Sequence, residues 1–133
     1  MWTCPKCNRV FKRTKQQHSC RTIPLEQHFK NKGYAKSLFN YLYKKINRDI
    51  GNCKVISLPC CIHLYGKYDF LAILPHRDSL EIRFAYKGKI KSPRIVQSVN
   101  LSSKLVKTCM DIYKKEDIDN ELIQWLRESY SLK

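Results

Sequence analysis

Apolar residues recur at helical spacing in the first half of the chain. Between residues 34 and 50 the apolar positions are three or four residues apart, and lysine, asparagine and arginine fill the positions opposite them. This spacing places the apolar side chains on one face of an α-helix. Gly51 follows the last turn and favours its end. The buried positions of this helix are predicted to be Ala35, Leu38, Phe39, Leu42 and Ile46.

The middle of the chain has the alternation that is typical of strands. Between residues 79 and 86, Leu80, Ile82 and Phe84 alternate with polar or small residues, which indicates a strand with one buried face. The segment 87–104 is rich in polar residues and is predicted to be a loop. Strands are expected at residues 53–58, 60–65, 68–74, 79–86 and 105–112.

A second amphipathic helix is expected near the carboxyl end of the sequence. Acidic residues at 116, 117 and 119 favour a helix amino terminus electrostatically. The apolar stripe that follows consists of Ile118, Leu122, Trp125 and Leu126. We therefore expect helices near both ends of a region that is mainly strand.

The first twenty residues carry the spacing of a metal site. Cys4 and Cys7 are separated by two residues, so a tight turn can aim both sulfurs at one cation, and His18 and Cys20 follow. Four ligands of this type match the tetrahedral preference of zinc and leave no open position, which is typical of a structural site. The single residue between His18 and Cys20 excludes the helical histidine pair of a DNA-reading finger. His28 is an alternative fourth ligand.

These elements together predict an α+β fold. A small antiparallel sheet of about four to five strands packs with an N-terminal and a C-terminal helix, preceded by a small zinc-binding hairpin. Residues 1–22 form the zinc-finger-like segment of the Cys3His type, and residues 23–133 form the α+β domain. The cofactor predicted for this arrangement is structural Zn²⁺.

The charge of the chain indicates a polyanionic partner. Its 26 lysines and arginines outnumber its 11 acidic residues, for a net charge of +15, and residues 1–58 hold 13 of the basic residues but only two of the acidic ones. Nucleic acid, DNA or RNA, is the first candidate, although a solvated lysine-rich surface would give the same count. The predicted phosphate contacts are Arg9, Lys12, Arg13, Lys15, Lys44, Lys45, Arg48, Lys89, Lys91 and Arg94.

Several short stretches carry a resemblance to a known family. The opening WTCPKC is followed by Phe11, Gln17, His18 and Cys20. Further matching pieces are LEQHF at 25–29, Phe70, LP at 74–75, SPRI at 92–95, DID at 117–119, EL at 121–122, WL at 125–126 and Tyr130. Together they resemble small bacterial proteins in which a zinc-finger-like start precedes domain of unknown function 5655. The resemblance implies no catalytic residue; some members follow nuclease-like domains, which suggests nucleic-acid metabolism.

Two other functions are consistent with the sequence. A protein-interaction or regulatory adaptor would use the finger as a docking element, and its basic charge would suit an acidic partner. A metal-dependent nuclease would pair Asp69 with Glu81, but arginine stands at position 83 where such sites use lysine. The adaptor is the main alternative, and the nuclease is the weaker one.

The remaining cysteines are interpreted mainly as packing residues, and a second metal site among them is the lesser alternative. Cys53, Cys60, Cys61 and Cys109 are interpreted as small buried apolar residues. Cys61 and His63 lie on one strand face with their side chains about 7 Å apart along the chain, which is too far for a hydrogen bond. No stretch is long and apolar enough to span a membrane, and no secretory signal is evident. We expect a cytoplasmic protein whose thiols stay reduced.

Overall fold

The computed structural model describes residues 2–11, 13–17 and 20–132. Two helices are present, α1 (Gly33–Asp49) and α2 (Asn120–Tyr130), and short 3₁₀ turns occur at Leu25–Phe29 and Lys115–Asp117. The strands are β1 (Trp2–Thr3), β2 (Val10–Phe11), β3 (Lys54–Ser57), β4 (Ile62–Tyr65), β5 (Asp69–Pro75), β6 (Leu80–Tyr86), β7 (Ile95–Asn100) and β8 (Val106–Ile112). The order of helices and strands is that of an α+β fold.

Six of the strands form one antiparallel sheet in the order β3-β4-β5-β6-β8-β7, and β1 pairs with β2 in a separate hairpin. The sheet is larger than the predicted four to five strands. The additional strand is β7, which lies in the segment predicted to be a loop. It is an edge strand that pairs only with β8, and most of its residues are exposed. Because neither of its faces is regularly buried, its sequence lacks the apolar alternation of a half-buried strand.

Both helices pack on one face of the six-stranded sheet. The side chains buried between them include Leu64, Leu71, Ile82 and Phe84 from successive strands. The five predicted positions of α1 are all buried, and α2 buries Leu122, Ile123 and Leu126. Trp125 is only partly buried at the rim of this core. The helical period therefore located the main contacts of both helices.

The opposite face of the sheet carries polar and thiol side chains as well as apolar ones. One register line runs across the strands through Ile56, His63, Ala72, Arg83 and Cys109. These residues alternate with the core-facing residues, so they point away from the helices. We call this surface the distal face.

A β-bulge brings an acidic side chain onto the distal face. Leu64 pairs with Leu71, but Tyr65 pairs with Asp69, so Phe70 is the extra residue of β5. Phe70 and Leu71 are each 1% exposed, so both are buried in the core. The bulge therefore shifts the alternation and places Asp69 on the same side as His63.

The amino-terminal hairpin contacts the distal face near the end of β4. Arg9 Nε donates a hydrogen bond to the Tyr65 hydroxyl over 3.2 Å. Further along, the Ile23 amide donates to the Ser57 carbonyl over 3.0 Å and covers part of the β3 edge. Among the described residues, no helix combines the length and the apolar character that crossing a membrane requires.

Candidate metal centres and basic surfaces

The first group of possible metal ligands lies at the amino-terminal hairpin. Cys4, Cys7 and Cys20 offer sulfur atoms that all lie within 4.8 Å of one another, and Cys4 Sγ is 3.6 Å from Cys20 Sγ. We call these three residues the amino-terminal cluster. All seven cysteines lie in the described part of the chain, and none forms a disulfide. The cluster could hold a metal ion, as the spacing predicts.

A tight turn brings the first two sulfurs together. The Asn8 amide donates to the Cys4 carbonyl over 2.8 Å, and the Cys4 amide donates to the Arg9 carbonyl over 2.9 Å. Asn8 adopts a φ of 61°, a left-handed conformation that asparagine tolerates better than most residues. The CPKC segment therefore folds back on itself between β1 and β2.

The same turn favours a negative charge on one thiol. Burial raises the pKa of Cys4, but hydrogen bonds from the Cys7 and Lys6 amides and from neighbouring thiols outweigh it and lower that pKa to about 6. For Cys20, burial and the adjacent thiols Cys4 and Cys7 raise the pKa to about 11. One thiolate is thus stabilised by backbone amides, and its charge opposes ionisation of another thiol. A cation among the three sulfurs would remove that opposition.

The predicted fourth ligand, His18, lies outside the described residues, as does Lys12. The alternative ligand, His28, is not part of the group of described side chains within metal-binding distance of Cys4, Cys7 and Cys20. It sits in the 3₁₀ turn, where burial lowers its pKa and its Nε2 atom is buried with no hydrogen-bond partner among the described residues. The assignment of His18 stays a prediction.

A second group of possible metal ligands lies on the distal face. Cys60, Cys61 and His63 also offer ligand atoms within 4.8 Å of one another. Cys61 Sγ is 3.0 Å from His63 Nε2 and 3.0 Å from Cys60 Sγ. We call these residues the sheet cluster. The interpretation of these cysteines as small buried residues is wrong for Cys60, which is exposed, and the structure groups both Cys60 and Cys61 with a histidine.

The sequence-based distance argument for Cys61 and His63 was wrong. About 7 Å separates alternate Cα atoms along a strand, but side chains in strands lean along the strand direction, and an imidazole covers much of that distance. Cys60 and Cys61 also precede β4 in a hairpin turn closed by the Leu58 amide and the Cys61 carbonyl, 2.9 Å apart. Turn geometry lets adjacent side chains converge, which a regular strand does not allow.

Asp69 completes this arrangement through the imidazole. His63 Nδ1 lies 2.6 Å from Asp69 Oδ2, so a proton on Nδ1 is shared with the carboxylate and the lone pair of Nε2 faces Cys61. Burial, with the hydrogen bond to Cys60, raises the pKa of Cys61 to about 12. A nucleophilic cysteine is activated by the opposite shift. Cys61 is therefore not an activated nucleophile, and it would ligate a metal only because a bound cation deprotonates a coordinating thiol.

The two carboxylates of the nuclease hypothesis do not converge. Glu81 pairs in register with Leu74, five residues from Asp69 along β5, which corresponds to about 17 Å. Glu81 instead contacts Arg83 at 2.7 Å and His76 at 2.9 Å. Asp69 and Glu81 cannot bind one ion in this fold, so the residues proposed for a nuclease are not brought together.

The predicted phosphate contacts lie on several surfaces rather than on one. Arg13 and Lys15 line a groove of the finger, and Lys89 and Lys91 line another beside β7. Arg94 forms ion pairs with Asp119 and Glu121, both at 3.0 Å. Among the described residues, four of the predicted cations contact polar groups within the protein: Arg9 with Tyr65, Lys45 with the Ile118 carbonyl, Arg48 with Asp49, and Arg94 with its acidic pair.

One basic groove on α1 also contains an exposed aromatic ring. Tyr41 is 39% exposed, and the ammonium groups of Lys45 and Lys115 each lie 5.8 Å from its ring centroid. Two adjoining pockets that share Tyr41 and Lys44 make up this surface, which we call the Tyr41 groove; its lining includes Asn40, Tyr41, Lys44, Lys45, Arg48 and Lys115. Sequence reasoning missed Lys115 because it lies far along the chain, in the 3₁₀ turn before α2. The helical period of α1 gives no sign of it.

Comparisons with known proteins provide no relative. No family model matches this chain, and neither a curated protein nor a solved structure matches it. The resemblance to domain of unknown function 5655 therefore stays a prediction. The functional argument rests on the geometry of this chain.

Proposed function

We propose that the protein is a zinc-containing basic module that binds nucleic acid through phosphate contacts. The observation that carries this proposal is the Tyr41 groove, where two ammonium groups flank one exposed ring. Proteins that bind single strands combine cations along the backbone with aromatic rings on which bases stack. We therefore expect single-stranded RNA or DNA to bind better than a duplex.

The groove continues along one face of α1. Tyr34, Tyr41 and Arg48 are spaced by seven residues, which is two turns, so they lie on the same side of the helix. Tyr34 is 48% exposed, although its hydroxyl donates to the Tyr113 carbonyl. Two rings and the adjacent lysines could therefore follow a strand across several nucleotides. Arg48 contributes less charge because Asp49 contacts its guanidinium at 2.9 Å.

Zinc has a structural role in this proposal. Cys4, Cys7 and Cys20 with His18 would bind one ion in a closed Cys3His site. The ion would fix the finger, and with it the orientation of Arg13 and Lys15 as additional phosphate contacts. Thiol ligands require reducing conditions, so we place the protein in the cytoplasm.

The test is fluorescence anisotropy with labelled single-stranded RNA, single-stranded DNA and duplex DNA across a salt series. Tyr41→Ala should weaken single-strand binding by about 1–3 kcal/mol and leave the salt slope unchanged, because stacking releases no counterions. Lys44→Ala with Lys115→Ala should reduce the slope of log affinity against log salt by about 1.4. Lys89→Ala with Lys91→Ala removes the same charge elsewhere and serves as the matched control.

Two results would contradict the proposal. The absence of binding at physiological salt would exclude nucleic acid and favour the adaptor alternative, in which the basic surface meets an acidic protein. Equal losses in the two lysine pairs, with no effect of Tyr41→Ala, would show non-specific attraction to the whole charge rather than binding in the groove.

A further inference from the structure

We propose that the sheet cluster is a second zinc site, with three protein ligands and a fourth position open to water or a small anion. Its ligands are Cys60, Cys61 and His63. This inference does not depend on nucleic-acid binding, because the sheet cluster and the Tyr41 groove share no residue.

The donor set favours zinc among the common metal ions. Two thiolates and one imidazole are soft and borderline ligands, which calcium and magnesium do not prefer. In tetrahedral zinc with Zn–S bonds of about 2.3 Å, neighbouring ligand atoms stand about 3.7 Å apart. The 3.0 Å separations in the sheet cluster are somewhat shorter, so the ligands have to open by less than about 1 Å. Cys60 can do this because it is exposed at the hairpin tip.

The histidine is already oriented for coordination. Asp69 contacts Nδ1 at 2.6 Å, which leaves the Nε2 lone pair directed toward the two sulfurs. Metal-bound histidines generally hold their second nitrogen in this way, and the carboxylate fixes the ring and makes it a stronger ligand. The β-bulge that turns Asp69 onto the distal face therefore has a chemical consequence.

The open position follows from the ligand count and from exposure. Within residues 2–11, 13–17 and 20–132, no fourth cysteine, histidine or acidic oxygen joins the group. Three protein ligands are typical of zinc sites that keep a place for water or substrate. Zinc with two thiolates and a neutral imidazole carries no net charge, so the site can accept water, hydroxide or a small anion.

Metal content of the full chain tests the site. The protein is purified with a phosphine reductant, loaded with zinc, passed through a sizing column and analysed by mass spectrometry for metal. We expect two zinc ions per chain in the wild type and one in Cys60→Ser. Cys53→Ser is the matched control and should keep two, since Cys53 is a half-buried thiol outside both clusters. Circular dichroism checks that Cys60→Ser is folded, as the exposed position predicts.

Cobalt substitution tests the open position separately. The visible absorption of cobalt changes when an added ligand enters its coordination sphere, so azide is used as the probe. Azide should alter the spectrum of a Cys4→Ser, Cys7→Ser variant, which retains only the sheet cluster. It should leave the spectrum of Cys60→Ser unchanged, because the amino-terminal cluster is predicted to be closed.

Two outcomes would overturn the inference. If folded wild type and Cys60→Ser hold the same number of zinc ions, the sheet cluster is not a zinc site. If azide leaves the spectrum of the Cys4→Ser, Cys7→Ser variant unchanged although cobalt is bound, the fourth position is closed. Loss of zinc from both Cys53→Ser and Cys60→Ser would also overturn the assignment of the sheet cluster, because the zinc loss would then not be specific to a proposed ligand.

Discussion

The two thiol clusters are built by different parts of the fold. The amino-terminal cluster lies on a hairpin of two-residue strands, where the Trp2 and Phe11 rings, with centroids 6.1 Å apart, form the visible apolar packing. The sheet cluster lies at the start of β4, beside a core that includes none of its residues. The hairpin around the first cluster buries too little apolar surface to fold without a metal ion. The second cluster lies on a sheet whose folding does not depend on it.

The difference in surrounding structure suggests two different roles for a metal ion bound by thiols and histidine. Where the chain cannot bury enough apolar surface, a metal ion supplies the missing free energy of folding, and a closed set of four ligands serves best. Where the scaffold is stable, ligands can be held by neighbours such as Asp69, and a coordination position can stay open. We therefore expect removal of metal to unfold one region and to leave the other nearly intact.

Removing metal should produce the largest effect. Structural zinc contributes on the order of 10 kcal/mol to a segment of this size, so a chelator should abolish most protection from hydrogen exchange in residues 2–11. Protection in β5, β6 and β8 should change little, because their core does not depend on metal. Hydrogen-exchange mass spectrometry with and without chelator measures both regions in one sample. Melting of the whole sheet on chelation would contradict the separation of the two regions.

Gly66→Ala tests whether packing, and not metal, determines the stability of the six-stranded sheet. A Cβ atom at Gly66 would stand 2.3 Å from Tyr130 Cε2, so the tyrosine ring, which packs edge-on against Phe70, must move. We expect a loss of about 1–3 kcal/mol in the free energy of unfolding, as for other overpacked positions. Urea unfolding measures it. Gly88→Ala is the control and should be nearly neutral, because nothing lies within 4 Å of its added Cβ.

Asp69→Asn tests the support of the sheet cluster. Loss of a carboxylate that orients a metal-bound histidine lowers metal affinity by about 10–100-fold. The sheet cluster should therefore release zinc to a weaker competing chelator, while zinc at the amino-terminal cluster stays bound. The control is Asp78→Asn, which removes the same charge from an exposed turn. Equal affinities in the two variants would mean that Asp69 has no part in metal binding.

Sequence patterns predicted the parts of this structure that repeat. The five buried positions of α1 follow from the helical period, and β6 follows from strict alternation, because burial of one face imposes those periods. The CPKC spacing likewise located the turn that joins two of the proposed ligands, Cys4 and Cys7. Each of these signals lies within a short stretch of chain.

The features that sequence reasoning missed arise between distant segments or from irregular backbone. The strand β7 is exposed and gains its order from β8, so its own residues show no period. The sheet cluster needs a hairpin turn to join Cys60 with Cys61 and a bulge to turn Asp69 toward His63. Neither the hairpin turn nor the bulge produces a periodic sequence pattern. A register shift of one residue would place Asp69 in the core.

Tyr65→Phe should produce the smallest effect, and it tests whether the two regions are coupled. The Tyr65 hydroxyl accepts from Arg9 Nε over 3.2 Å, which joins the hairpin to the strand that carries His63. The variant loses the hydrogen bond to Arg9, which is worth about 0.5–1.5 kcal/mol, together with the contact between the hydroxyl and Asp69, so hairpin amides should exchange several-fold faster in the zinc-loaded variant. Tyr113→Phe is the control, since its hydroxyl donates to the nearby Asp111, on β8, and not to a residue of the hairpin that the structure describes.

A double-mutant cycle decides between coupling and mere proximity. If Arg9→Ala and Tyr65→Phe act through their shared bond, the double variant should cost less than the sum of the single variants. A non-zero coupling energy would mean that the hydrogen bond between Arg9 and Tyr65 joins the amino-terminal hairpin to β4 energetically. Strictly additive losses would show that the hairpin and β4 are in contact without a coupling free energy, so the two clusters would be energetically independent at this contact.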